Sequence, residues 1–202
     1  MNCRLILVAL VFWVPFTLHA EPVFNFGHFD GFPQVELDPE GRNVRLLKDF
    51  SYFDPDEKVW TARQNFESDG ASIPQVFWTF VGGPFEGRYR DAALIHDWYC
   101  KYKQGRWQDV HIMFYWASRA RGVSEFQAKT LYLAVALFGP RWGQKNWRWP
   151  REFTPRFSHT VLVVKLSKDQ AEDAVNWLKS NDPSLDIINF YVSDNYPVNL
   201  DW

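Results

Sequence analysis

Side chains able to move protons or hold a metal ion fall in three short stretches. "SDGASIPQVFW", Ser68 to Trp78, places Asp69 ahead of Gly70 and Ser72. "AALIHDWYCKY", Ala92 to Tyr102, holds the pair His96-Asp97, with Tyr99 one turn on. "RWQDV" holds Arg106 and Asp109. A histidine beside an aspartate can present two functions to a cleft. The imidazole serves as a general base, and the carboxylate offers a hard oxygen to a cation. Each residue also has a plain structural reading. A histidine on the border of an apolar helix stripe is commonly a half-buried structural group. Asp69 before Gly70 suits a turn, and Ser72 suits a cap or turn hydroxyl. Asp109 suits the first turn of a helix, where the macrodipole favours an acid, and Arg106 can simply pair with it. His28, His111 and His159 show no ligand spacing to one another, and the chain has no HExxH, CxxC or phosphate-binding glycine loop.

The elements that must position these groups can be read from periodicity and punctuation. "FPQVEL", "NVRLLKDFSYF" and "KVWTARQNF" alternate like half-buried strands and are parted by the turn signals "DPEG" and "DPDE". They predict a small antiparallel meander. Three helices follow. The first covers about Arg90 to Lys103, with Ala92, Ile95, Tyr99 and Tyr102 on one stripe, and ends at Gln104-Gly105. The second covers about Trp107 to Arg121 and is closed by Gly122. The third starts at Ser124, with Gln127 in capping-box position, and stops at Gly139-Pro140. So short a link between the first two predicts an antiparallel hairpin. A symmetric turn near Gly105 would bring Asp109 to within about one helical turn of His96 and Asp97.

Residues 141–157, rich in Trp, Arg and Pro, break the pattern and read as a loop or linker. The remainder predicts a βαβ unit. "HTVLVVKL" is its first strand, Ser167 with Gln170 caps its helix, and "DIINFYV" is its second strand. The expected organisation is α+β: a leader at 1–20, a domain at 21–150 and a βαβ extension at 151–202.

The start, "MNCRLILVALVFWVPFTLHAEP", has one basic residue, an apolar run from Leu5 to Leu18 and a small residue at Ala20. This is the pattern of a secretory signal peptide, and it predicts a periplasmic or secreted protein. Cleavage after Ala20 would leave 21 basic against 24 acidic residues, which argues against a nucleic-acid partner. Cys100 would then be the lone cysteine, expected as a buried, inert thiol with no disulfide.

The combination of "NFESDGASIPQVFW", "GRYRDAALIHDWYC", "RWQDVHIMFYWA" and "LYLAVALFGPRW" resembles a family of unknown function from phages and bacteria, domain-of-unknown-function family 1353. Its pattern is D-G-A-S-[IV]-P, then an H-D pair on a helix, then an arginine and an aspartate. Asp69 to Pro74, Ala93, His96, Asp97, Arg106 and Asp109 hold the matching places over roughly residues 40–142, while Gln108 stands where the family has a small residue.

A second, local resemblance is to the catalytic helices of phospholipases A2. It implies His96 as the base, Asp97 as a calcium ligand and Asp109 as the group that orients His96. Asp69-Gly70 or Gly82-Gly83 would stand in for the calcium loop. The expectation is therefore a metal-assisted hydrolase of an envelope ester or amide. His96 and Asp109 would be catalytic, and Asp97 and Asp69 would hold a divalent cation such as calcium. Arg106, Gly70, Ser72 and Tyr99 would support them. A cell-envelope lipid or peptidoglycan component would be the partner. The alternative is a non-catalytic envelope or phage-derived binding module.

Overall fold

The structure is a computed structural model and describes residues 24–40, 43–69, 75–82, 87–142 and 167–196. The leader at 1–20, Gly70, Ser72 and the expected strand at 159–166 lie outside the described residues. Mixed α+β architecture is observed, with strands first and helices after.

The strands are β1 (His28–Phe29), β2 (Val35–Leu37), β3 (Val44–Leu46), β4 (Phe50–Phe53), β5 (Val59–Ala62) and β6 (Glu67–Ser68). All pairings are antiparallel, but they do not form one meander. They make two three-stranded sheets, in the orders β1-β4-β5 and β2-β3-β6. The cause lies in "NVRLLKDFSYF", expected as a single strand. It breaks at Leu47–Asp49 into β3 and β4, which join different sheets. Asp49 holds the break, accepting from the Gln64 backbone N–H at 2.8 Å and from Arg63 at 2.7 Å. Leu46, Phe50, Tyr52, Trp60 and Ala62 alternate inward and are fully or nearly fully buried.

The helices are α1 (Gln75–Val81), α2 (Arg90–Tyr102), α3 (Trp107–Ala120), α4 (Glu125–Phe138), α5 (Lys168–Asn181) and α6 (Leu185–Asn195). The expected three-helix unit is α2–α4, nearly residue for residue. Lys103, in the left-handed region at φ 51°, ends α2, so the stop comes before Gly105. The Trp142 indole N–H donates to the Gly105 carbonyl at 2.9 Å and pins the turn of the hairpin. Ser124 caps α4, its hydroxyl accepting from the Gln127 backbone N–H. From Ala128 to Leu137 every residue of α4 is buried, the mark of a helix packed on all sides. It contacts α1, α3, α5 and α6.

The C-terminal reading needs correction. The capping box at Ser167 and Gln170 and the buried stripe Ala171, Ala174 and Leu178 are present in α5. The expected second strand is instead helical, as α6. Its β-branched residues suggested a strand, but Ser184 caps it, accepting from the Ile187 N–H, and its two buried residues, Ile188 and Val192, are four apart. Both helices dock on α4. Lys129 Nζ lies 2.7 Å from Asp182, and the Tyr132 hydroxyl donates to Asn189 at 2.6 Å. Among the described residues no helix is long and apolar enough to cross a membrane.

Candidate functional site

Strand β6 ends at the foot of α2. Pairing with β3 buries Ser68, whose hydroxyl donates to Asp97 Oδ2 at 2.6 Å. Asp69 follows, exposed. Helix α2 contributes His96, Asp97 and Cys100, α3 contributes His111 and Phe114, and the end of α4 forms the facing wall. A cleft of about 520 Å³ opens here, lined among others by Ser68, Asp69, His96, Asp97, Cys100 and Lys101, with Phe138 and Gly139 opposite.

His96 is 6% exposed and crowded by polar groups. Its Nε2 lies 3.0 Å from His111 Nδ1, and its Nδ1 lies 3.7 Å from Asp97 Oδ1. Cys100 Sγ sits 3.6 Å from Nε2 and 3.8 Å from Nδ1. The Phe114 ring packs on the imidazole, with centroids 4.8 Å apart. Burial by itself would lower the His96 pKa. The charge and hydrogen bonding of Cys100 and Asp97 outweigh it and push the pKa up to about 10. Burial, and then the charge of His96, hold His111 well below the usual imidazole range. Both directions favour the proton on His96 over His111. Burial pushes the Asp97 carboxyl up, opposed by His96 and the Ser68 hydroxyl.

The structure brings Asp69, His96 and Asp97 to one cleft. It does not bring Asp109 there. Asp109 faces Arg106 across 4.0 Å, with both side chains substantially exposed. The place beside His96 belongs to His111. Two residues turn a helix by about 200°, so if His111 points at His96, Asp109 points nearly the opposite way. Arg106 precedes α3 at its N-cap position. Tyr99 ties α2 to the sheet: its hydroxyl accepts from the Thr61 backbone N–H at 3.2 Å, and its ring meets Trp60 edge-on.

His111 and Cys100 are the functional candidates that the sequence reading left out. Cys100 is half-buried against His96, not sequestered in the core. It stands four residues after His96, so a shared helix face was visible in the sequence. The ligand atoms of His96, Cys100 and His111 all lie within 4.8 Å of one another. By contrast, Asp97 and Asp69 make a poor calcium set. One Asp97 oxygen is engaged by Ser68, and calcium needs roughly six to eight oxygens. A larger cavity, about 660 Å³, lies on the other side of Ser68 and is lined by apolar residues with Arg88, Arg90, Asp91 and Arg121. Among the described residues its lining holds no histidine or cysteine.

The profile of the family described as protein of unknown function (DUF1353) matches residues 44–135, the segment from β3 through most of α4. The uncharacterized protein y4jT of Sinorhizobium fredii is 44% identical over 58% of this chain and 35% of its own length. The uncharacterized protein y4iH of the same organism is 40% identical over 55% of this chain and 47% of its own length. The chain thus spans between a third and a half of these curated relatives. No solved structure matches. Residues 44–135, which carry His96, Asp97, Cys100 and His111, match the profile of this uncharacterised family.

Proposed function

We propose that the protein is a metal-assisted hydrolase of an ester or amide bond in a cell-envelope component, working in the cleft between β6, α2 and the end of α4. The observation that carries this reading is a buried His96 beside the Asp97 carboxylate, on a cleft that Asp69 also lines and that is large enough for a small ligand. Hydrolysis needs a base to take a proton from water and positive charge where the oxyanion develops. Asp97, its carboxyl raised by burial, suits the first task, with Asp69 at the mouth. Charge at His96, on the imidazolium or on an ion it helps to hold, suits the second. Lys101, also on the cleft, suits an anionic substrate group. The leader-like residues 1–20 support an envelope substrate.

A second reading, a non-catalytic binding module, is favoured by the internal bond between His96 and His111, which ties α2 to α3 without any ligand. Hydrolysis of p-nitrophenyl esters, anionic phospholipid vesicles and peptidoglycan fragments separates the two. The hydrolase reading expects turnover that is lost in Asp97→Asn with little change in melting temperature. Absence of turnover on every substrate, or full activity in Asp97→Asn, favours the binding module.

A further inference from the structure

We propose that His96, Cys100 and His111 form a binding site for a zinc-class transition-metal ion. This deepens the hydrolase reading by naming the ion, but the site stands on its own geometry. The donors are two imidazoles and a thiol, a set that selects zinc and its neighbours over calcium or magnesium. Zinc–nitrogen bonds of about 2.0 Å and zinc–sulfur bonds of about 2.3 Å put the ligands of a tetrahedral site roughly 3.3 to 3.6 Å apart. The closest pairs here, 3.0 Å between the imidazoles and 3.6 Å from Cys100 Sγ to His96 Nε2, come near those separations without an ion between them.

The scaffold is a pair of packed helices. His96 and Cys100 share one face of α2, and His111 meets them from α3. Gly139 leaves room for the His111 ring: a Cβ there would stand 2.7 Å from His111 Nε2 and 2.8 Å from Cε1. His111 is 1% exposed and its Nε2 has no hydrogen-bond partner, so its engagement runs through Nδ1, toward His96. His96 and Cys100 line the cleft, which leaves the fourth position of a three-ligand ion on the side open to water. Asp97 and Asp69 line the same cleft and would face that water as acceptors. Binding requires both Cys100 and His96, whose surroundings favour its protonated form, to lose a proton to solvent.

The test is cobalt(II) titration of the purified, metal-stripped full chain, with elemental analysis for zinc before stripping. One equivalent of cobalt per chain should bind and give a thiolate-to-cobalt charge-transfer band. Cys100→Ser, a substitution at the cleft wall that keeps the core intact, should abolish that band and weaken binding by more than about tenfold. His111→Gln should weaken binding likewise. If it fails to fold, the Cys100→Ser spectrum decides alone. Substoichiometric binding, or a band unchanged in Cys100→Ser, overturns the site. No substrate enters these readouts. A chain that binds one ion and hydrolyses nothing keeps the metal site and sinks the hydrolase, while a chain that hydrolyses substrate but binds no ion keeps hydrolysis and sinks the site.

Discussion

The inside of the α2–α3 hairpin and its turn end carry similar residue types and differ in everything that matters for chemistry. At the turn end, Arg106 and Asp109 stand 4.0 Å apart, with side chains 50% and 40% exposed. Inside, the buried His96 and His111 crowd against the half-buried Cys100, and near the other end Asp91 and Arg121 pair at 2.7 Å, only 10% and 19% exposed. Water screens the first pair, and such pairs contribute little. Burial forces the second set to find partners, shifts their proton affinities and couples them to the fold. An acid and a base at helical spacing are thus no sign of a site. The face on which they stand decides.

The comparison breaks if the inner ion pair proves as dispensable as the outer one. Asp91→Ala strips the carboxylate partner from the half-buried Arg121, which also stacks on Phe29 and Phe32. The loss should be about 3 kcal/mol, measured by urea unfolding. Gly139→Ala tests the packing behind His111. The new methyl would stand 2.3 Å from the Val135 carbonyl and must displace backbone or ring. It should cost about 1–3 kcal/mol and weaken metal uptake. Arg106→Ala and Asp109→Asn should each change stability by less than about 0.5 kcal/mol and leave metal uptake unchanged. A loss of metal in Asp109→Asn would restore that residue to the site.

The smallest effect is in pH. Burial raises the Asp91 carboxyl above its ordinary value of 3.8, against the opposing charge of Arg121. A raised acid contributes stability that is present below the unfolded value and lost as pH rises through the folded one. The stability of the wild type relative to Asp91→Asn should therefore fall as pH rises from below 3.8 into the weakly acidic range, then level off. A difference that grows with pH over that window would show the ion pair outweighing burial.

Much of the scaffold was legible. Helices α2, α3 and α4 announce themselves through apolar stripes, the Ser124 cap and the Gly139-Pro140 stop, because those signals are local. The β3–β4 break was not, since sheet membership depends on partners distant in sequence. Nor was α6, where the β-branched residues Ile187, Ile188 and Val192 outweighed the cap at Ser184. The site was legible in half. His96, Asp97 and Asp69 could be picked from the stretches that hold them. His111 could not be found by spacing along the chain, because its partner is on the facing helix. A mirror placed between Lys103 and Gly105 carries position 96 to positions 110–114, where His111 and Phe114 stand, and passes over Asp109. The symmetric turn near Gly105 had been carried only to Asp109, two residues short of His111.

The central claim is that the protein's chemistry is built on the buried cluster of His96, Cys100 and His111. X-ray absorption at the zinc edge, on protein loaded with one equivalent of zinc, tests it most directly. The account predicts a first shell with one sulfur at about 2.3 Å and two imidazole nitrogens at about 2.0 Å. A shell of oxygens alone, with no sulfur, would place the ion on Asp97 and Asp69 and contradict it.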